Sequence, residues 1–238
     1  MAKMLKADFH AHTASDPFDT IPHDEAALID LAAAQGYEVL TITNHGQRLD
    51  PACLAERAAA KGIMLIPGIE AWIEGKHVVL LNCDEAAERL RTFADLRSYR
   101  ESHPEAFVLA PHPFYPKKHC LGDDFLRNID LFDGVEFSHL YLRGFNRFNA
   151  RAAETARKHG KTLVGTSDCH RLYQFGSTFT LVDAAKTPEA IVAALKAGKC
   201  QIVSRPVSLA NVFRLFLAMM AGRELARLRR FLLARLRR

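Results

Sequence analysis

At 238 residues, with 49% hydrophobic and 25% charged positions, the chain has the length for one full-sized core and the composition of a globular domain, which excludes a disordered or fibrous segment. Its net charge of +5 is unevenly placed: residues 214–238 hold eight arginines and one glutamate, a local +7, leaving −2 for the first 213 residues. The folded part is therefore not a basic, nucleic-acid-coating surface. Five scattered cysteines (Cys53, Cys83, Cys120, Cys169 and Cys200) include no C-x-x-C pair and make a poor disulfide framework, which fits a reducing cytoplasm. The N-terminus lacks the apolar stretch of a signal peptide. The longest apolar run near the end, residues 215–221, is shorter than the roughly 20 residues a spanning helix needs, so no transmembrane segment is expected.

In chain order, short apolar runs alternate with longer amphipathic ones, the rhythm of β-α units. A strand is predicted at 7–9, then a helix over 24–35 that opens on a polar turn and closes at Gly36. A strand at 39–43 precedes a helix over 51–60 ending at Gly62. Strands at 63–66, 78–81, 107–110 and 134–137 follow, with a helix over 145–159 closed by Gly160. A strand at 162–165 comes next, and Thr187-Pro188-Glu189 opens a helix that runs to Lys196 with Gly198 beyond it. Residues 207–238 form a basic amphipathic tail in which Leu225, Leu228, Leu232 and Leu236 recur at helical spacing. Such a helix suits packing on the domain or on a second subunit, a membrane surface, or nucleic acid.

Metal-binding residue types sit at the strand ends. His10 and His12 follow the first strand, His45 the second, Glu70 the third, His112 the fifth, and Asp168 with His170 the seventh. In barrels of alternating strands and helices, residues from successive strand ends converge at one face, so this register describes one site. Two imidazoles two residues apart on an extended segment point the same way, and one metal can take both. Imidazole and carboxylate together suit zinc, manganese or iron.

Six segments carry a resemblance: His10-Ala11-His12-Thr13, Thr43-Asn44-His45, Pro67-Gly68-Ile69-Glu70, Lys76-His77-Val78-Val79-Leu80, Ala110-Pro111-His112-Pro113 and Ser167-Asp168-Cys169-His170. In order and spacing they resemble the polymerase and histidinol phosphatase (PHP) family of metal-dependent phosphoesterases, from about residue 7 to residue 205. The resemblance implies an α/β fold, a distorted seven-stranded (β/α) TIM-like barrel over residues 1–206, with the tail over 207–238 as a C-terminal amphipathic helix. It also implies two or three divalent ions (Zn, Mn or Fe). One would be held by His10, His12, Glu70 and Asp168, a second by Glu70, His77 and His112, and a third by Asp16, His45 and His170. Two positions depart from the family pattern: Asn44 stands where many members have Asp, and Pro17 follows Asp16 where Gly is usual. Asn44 cannot supply a charge, so either it orients its neighbours as the Asp would, or the third site loses charge.

The implied reaction is hydrolysis of a phosphate ester by a metal-bridging hydroxide, with Glu70 and Asp168 as the catalytic carboxylates. The substrate would be a phosphorylated small molecule, a nucleotide or an oligonucleotide end. Substrate contacts are expected from Lys117, Lys118 and His119 and from His139, Tyr141 and Arg143, with His139 and Arg143 the preferred pair. Two other classes stay open: a metal-dependent amidohydrolase, with Glu70 as its bridging carboxylate, and a non-catalytic metal-binding regulatory domain. The expected location is the cytoplasm, with the tail able to meet a membrane surface or a second subunit.

Overall fold

The computed structural model describes residues 4–208 and residue 213. Among these, the chain order is β1 (Leu5–Asp8), α1 (Glu25–Ala34), β2 (Val39–Leu40), α2 (Ala55–Ala60), β3 (Met64–Leu65), β4 (Gly68–Ile73), β5 (Lys76–Leu81), α3 (Phe93–Ser102), β6 (Phe107–Ala110), α4 (Asp123–Arg127), β7 (Gly134–Ser138), α5 (Arg147–Lys158), β8 (Thr162–Thr166), β9 (Thr178–Val182), α6 (Pro188–Lys196) and β10 (Cys200–Ser204). The helices start where the chain offers caps. Asp24 accepts from the Ala27 amide, Thr92 and Asp95 form a reciprocal capping box, and Thr187 caps the turn that Pro188 opens.

The strands form two five-stranded sheets, ordered β10-β9-β1-β2-β3 and β4-β5-β6-β7-β8. The pairs β1-β2, β2-β3, β6-β7 and β7-β8 are parallel, whereas β9 runs antiparallel to β1 and β10, and β4-β5-β6 is an antiparallel meander. Isolated bridges Ala11–Cys169 and His45–Glu70 join the sheets beyond the ends of β1 and β2. A continuous seven-stranded ladder is thus replaced by two sheets facing one core. Phe9, Val39, Val79, Leu81, Phe107, Leu109, Val164 and Val182 fill the space between them. The alternate residues Ile69, Ala71, Val78, Leu80 and Val108 pack outward with Leu96 and Tyr99 of α3.

The seven predicted strand positions all carry strands, with β6 matching residue for residue. The other six differ in extent, most of all β2: of residues 39–43 only Val39–Leu40 stay in the ladder, although the Thr41 and Thr43 amides still donate to the Asp8 and Ala11 carbonyls. Three strands were not expected. β4 turns into β5 through Glu74-Gly75, both with positive φ, the backbone a two-residue hairpin demands. β9 and β10 close the first sheet as an antiparallel pair. Gly68 positions β4, because a Cβ there would collide with Thr41 Cγ2; the missing side chain brings Glu70 up to His45.

The predicted amphipathic tail lies outside the described residues, apart from residues 207, 208 and 213. No helix among the described residues is long and apolar enough to cross a membrane.

Candidate metal centre

The period-2 geometry of the strands aims the site. Outward Ile69 and Ala71 leave Glu70 on the inner face of β4, and outward Val78 and Leu80 leave His77 on the inner face of β5. Glu70 therefore emerges within a strand, not after one as the register of strand ends implied. His10 and His12 continue from β1 on an extended, fully buried segment tied to the β8 side by the His12 amide and the Cys169 carbonyl. His112 follows β6 and Asp168 follows β8, and both adopt left-handed backbone (φ 29° and 44°). For residues with a Cβ that conformation is strained, and such strain concentrates at functional positions.

Four donor atoms converge on one point. His10 Nε2 lies 3.1 Å from His12 Nε2, 3.3 Å from Glu70 Oε2 and 3.5 Å from Asp168 Oδ1. His12 Nε2 lies 3.3 and 3.4 Å from the same two oxygens. A tetrahedral ion with bonds of about 2.0–2.1 Å requires ligand atoms about 3.4 Å apart, so these spacings suit one ion at the centre. The other oxygen of the same carboxylate, Glu70 Oε1, is 2.6 Å from His77 Nδ1 and 3.3 Å from His112 Nε2. Glu70 thus faces two donor sets with two different oxygens.

The buried polar atoms support an ion rather than a hydrogen-bond network. Glu70 Oε1, both nitrogens of His77 and Asp168 Oδ1 are buried without a well-aligned hydrogen bond, even though Glu70 Oε1 and His77 Nδ1 lie only 2.6 Å apart. Orphaned buried groups are costly, and four of them around one cavity suit a cation that would satisfy them together. The donor set of imidazoles and carboxylates fits divalent Zn, Mn or Fe.

The expected third set separates. Asp16 Oδ2 accepts from the His45 amide and lies 2.8 Å from His45 Nδ1 and 3.0 Å from His12 Nδ1, so it grips the back of both rings. His45 Nε2 points instead to Glu70 Oε2, 3.0 Å away. His170 turns to Asp19, with Nε2 3.1 Å from Asp19 Oδ2, and its Nδ1 is 3.4 Å from Asp168 Oδ1. The Asp16, His45 and His170 trio is not assembled as one set.

Asn44 holds a neighbouring segment, the turn that carries Thr13. Its Oδ1 accepts from the Thr13 amide at 2.9 Å and its Nδ2 donates to Thr13 Oγ1 at 3.0 Å, while Thr13 Oγ1 donates to Glu25. The amide therefore fixes the turn after His12 and points away from the ligand atoms. Asn44→Asp is expected to lower stability by about 1–3 kcal/mol, because it removes the donor to Thr13 and buries a second carboxylate beside Glu25. Chemical denaturation measures this, and unchanged metal stoichiometry in the variant is the second expected outcome.

Two carboxylates that motif reading missed support the ligands. Glu136, on the inner face of β7, sits 2.7 Å from His10 Nδ1 with Oε1, accepts from the His112 amide with Oε2 and receives the Thr166 hydroxyl. A charged residue inside the apolar run of strand 134–137 was the signal. Asp8 Oδ1 accepts from the His10 and Ser167 amides, clamping the β1 and β8 ends. Cys120 Sγ lies 3.3 Å from His112 Nδ1, which orients the ring from behind.

Electrostatics follow from this crowding. Burial alone would depress His10, but Glu70, Glu136 and Asp168 outweigh it and hold the imidazole well above its usual range. The same balance raises His12 through Asp16, Asp168 and Glu70, and lifts His45 to about 9 through Asp16 and Glu70. Burial opposes ionisation of Glu70, yet His10 and His77 keep it well below the carboxylate range. Burial pushes Asp8 up to about 7.

The predicted substrate contacts divide. His139 is buried beside Asp168, and burial lowers it to about 4; its Nε2 is 3.3 Å from Gln174 Nε2, and Gln174 Oε1 accepts from the His170 amide. Arg143 is exposed, and neither it nor His139 lines the cavity. Lys117 and His119 line the cavity, His119 stacking on His77 with ring centroids 4.3 Å apart. Lys118 is exposed and gives its carbonyl to Lys76, and Tyr141 lies in a neighbouring groove. The cavity over the ligands measures about 100 Å³.

Fold and centre together define an α/β protein with a buried histidine and carboxylate centre suited to metal ions. Residues 146–200 match the PHP-associated family model. A two-domain protein from Bacteroides vulgatus ATCC 8482, containing a predicted PHP-like metal-dependent phosphoesterase, superposes with a TM-score of 0.67 at 20% identity. That match covers 85% of this chain and 65% of the other, so the chain spans less than two thirds of that protein. PsfC from Pseudomonas syringae PB-5123 gives a TM-score of 0.67 at 16% identity, over 90% of this chain and 99% of that one. The lesion-specific endonuclease PfuEndoQ from Pyrococcus furiosus gives 0.61 at 15% identity, over 84% and 57%. No curated protein matches the chain. Residues 146–200 are thus similar to the PHP-associated family, and the chain shares the fold of these solved structures.

Proposed function

We propose that the chain is a metal-dependent hydrolase of phosphate esters, carried by one observation: Glu70 presents its two oxygens to two separate donor sets. The first ion would be held by His10, His12, Glu70 and Asp168, and the second by Glu70, His77 and His112, in a barrel-like fold. Bound divalent ions, zinc, manganese or iron, would lower the pKa of water towards neutrality and neutralise charge on the phosphoryl oxygens. The protein contributes the rest. Glu136 and Asp16 hold His10 and His12 in one orientation, which keeps the free nitrogens on target. Lys117 at the cavity wall offers a cation to a phosphoryl oxygen. His139, neutral at pH 7, is buried against Gln174, whose Oε1 accepts from the His170 amide, and so would help position His170.

The cavity is smaller than the roughly 300–1,000 Å³ typical of whole-ligand sites, so it takes the phosphoryl group and leaves the rest of the ester outside. That favours small or terminal phosphates, including nucleotides and oligonucleotide ends. A cytoplasmic location and a surface contact through the basic tail belong to the same reading. Metal analysis of the purified protein beside a panel of phosphomonoesters, phosphodiesters and short DNA or RNA tests it. Two ions per chain and release of phosphate or a cleaved end are expected. A metal-loaded protein that hydrolyses cyclic amides but no phosphoester would overturn it.

Loading the centre must also displace protons. Without ions, His45 has a folded pKa of about 9, above its unfolded value of about 6.5. Its contribution to stability is full below pH 6.5 and is lost as pH rises through 9. Chelator-treated protein is therefore expected to show a falling Tm between about pH 7 and 9, while the loaded protein does not. Thermal melts across that window, with and without chelator, provide the check.

A further inference from the structure

Next to the small cavity lies a groove of about 330 Å³ whose walls are almost wholly apolar, formed by Tyr115, Leu140, Tyr141, Phe145 and Phe148 among others. Tyr115 and Leu140 line both the groove and the cavity over the metal ligands, so the two spaces share a wall. The shared wall is fixed, because the Tyr115 hydroxyl donates to the Leu140 carbonyl at 2.6 Å. Among the described residues, no charged one lines the groove. Its rim is exposed: Phe145 is 51% and Leu140 36% accessible, an unusual placement for large apolar side chains. The rings are held in place, since Tyr115 packs on Phe148 with centroids 4.8 Å apart and the Arg147 guanidinium sits 4.8 Å from the Phe148 centroid.

We infer that this groove binds a planar, uncharged ring carried on the alcohol side of the phosphate ester, and so selects aromatic leaving groups. The inference rests on the phosphoesterase reading above. Three observations point to this occupant. The cavity has room for little beyond a phosphoryl group, so the remainder of a substrate must enter an adjoining space. A second, more polar groove meets the cavity only through Leu140 and carries Arg205, Gln174 and Ser177, which would suit a hydrophilic group. The apolar groove shares both Tyr115 and Leu140 with the cavity, and its four aromatic rings offer edges and faces to another ring. Phe213, five residues past Ser208, is 61% exposed, so this aromatic of the following segment does not fill the groove.

The test is equilibrium binding to the metal-loaded full chain of two non-hydrolysable probes, benzylphosphonate and methylphosphonate. Both offer the same phosphonate to the cavity, and only one carries a ring. Benzylphosphonate is expected to bind about tenfold more tightly. In Phe145→Ala that ratio is expected to fall by about fivefold, and in Leu140→Asp, which puts a charge on the shared wall, to vanish. Equal affinity of the two probes for the unaltered chain overturns the inference and leaves the phosphoesterase reading standing. Failure of both probes to bind a loaded centre overturns the two together. An unchanged ratio in both variants places the ring elsewhere and also overturns the inference.

Discussion

Glu70→Gln is expected to abolish tight binding of both ions and to lower phosphoester turnover by at least about a thousandfold. The reason is that one carboxylate serves two donor sets: Oε2 faces His10, His12 and His45, and Oε1 faces His77 and His112. Glutamine keeps the shape but offers only one coordinating oxygen and no charge. In the ion-free state it also leaves the raised imidazoles of His10, His12 and His112 with less buried negative charge against them. Breaking such buried pairs costs about 3–5 kcal/mol, so the variant is also expected to be less stable at pH 7. Metal content after gel filtration, denaturation midpoints and phosphate release measure the three effects. His103→Ala, at the end of α3 and stacked on Tyr99 away from the centre, serves as the matched control. A Glu70→Gln protein that retains two ions at full affinity would sink the bridging assignment.

Much of the centre was legible because its residues fall in short motifs that ride on strand ends. His10, His12, His112 and Asp168 could be placed from the alternation of apolar runs and polar breaks, and strand 107–110 was read to the residue because four consecutive buried apolar positions admit little else. The hairpin from Gly68 to Leu81 was harder. Its signal is the Glu74-Gly75 turn, and without it Glu70 reads as the end of a strand rather than its interior. β9 and β10 stayed hidden because neither has a long fully buried apolar run, and β9 is placed by pairing with β1 and β10 by pairing with β9. The arrangement of the third donor set was not legible for another reason. Motif order shows which residues gather at one face, but not which nitrogen turns to which oxygen. Asp16 turned to the backs of His12 and His45, and His170 turned to Asp19. Asp19 and Glu136 carry no motif, and their roles depend on tertiary contact between segments more than 100 residues apart.

Glu136 leads to the second large expected effect, because it acts on the centre without facing an ion. Its Oε1 lies 2.7 Å from His10 Nδ1, which fixes that nitrogen as the donor and leaves Nε2 as the free electron pair aimed at Glu70 and Asp168. Its Oε2 accepts from the His112 amide at 2.6 Å and so also holds the strained backbone of a second-set ligand. Glu136→Gln cannot satisfy both donors. With either orientation of the amide, its NH2 group faces His10 Nδ1–H or the His112 N–H, and one bond becomes a repulsion. Metal affinity is therefore expected to drop by about 10–100-fold. Stability should fall by about 1–3 kcal/mol for the buried donor left unpaired. Competition titration against a chelator resolves the two binding events. If the amide turns its NH2 to His10, the first equivalent should weaken more; if it turns to His112, the second should. Glu136→Ala removes the repulsion and opens space for water behind His10, so its loss of affinity should be of the same order while its pH dependence shifts, since the imidazole is no longer held charged by a buried anion. Identical affinities for both equivalents in Glu136→Gln and the unaltered protein would show that His10 holds its tautomer without the carboxylate, and Glu136 would then be a packing residue of β7 alone.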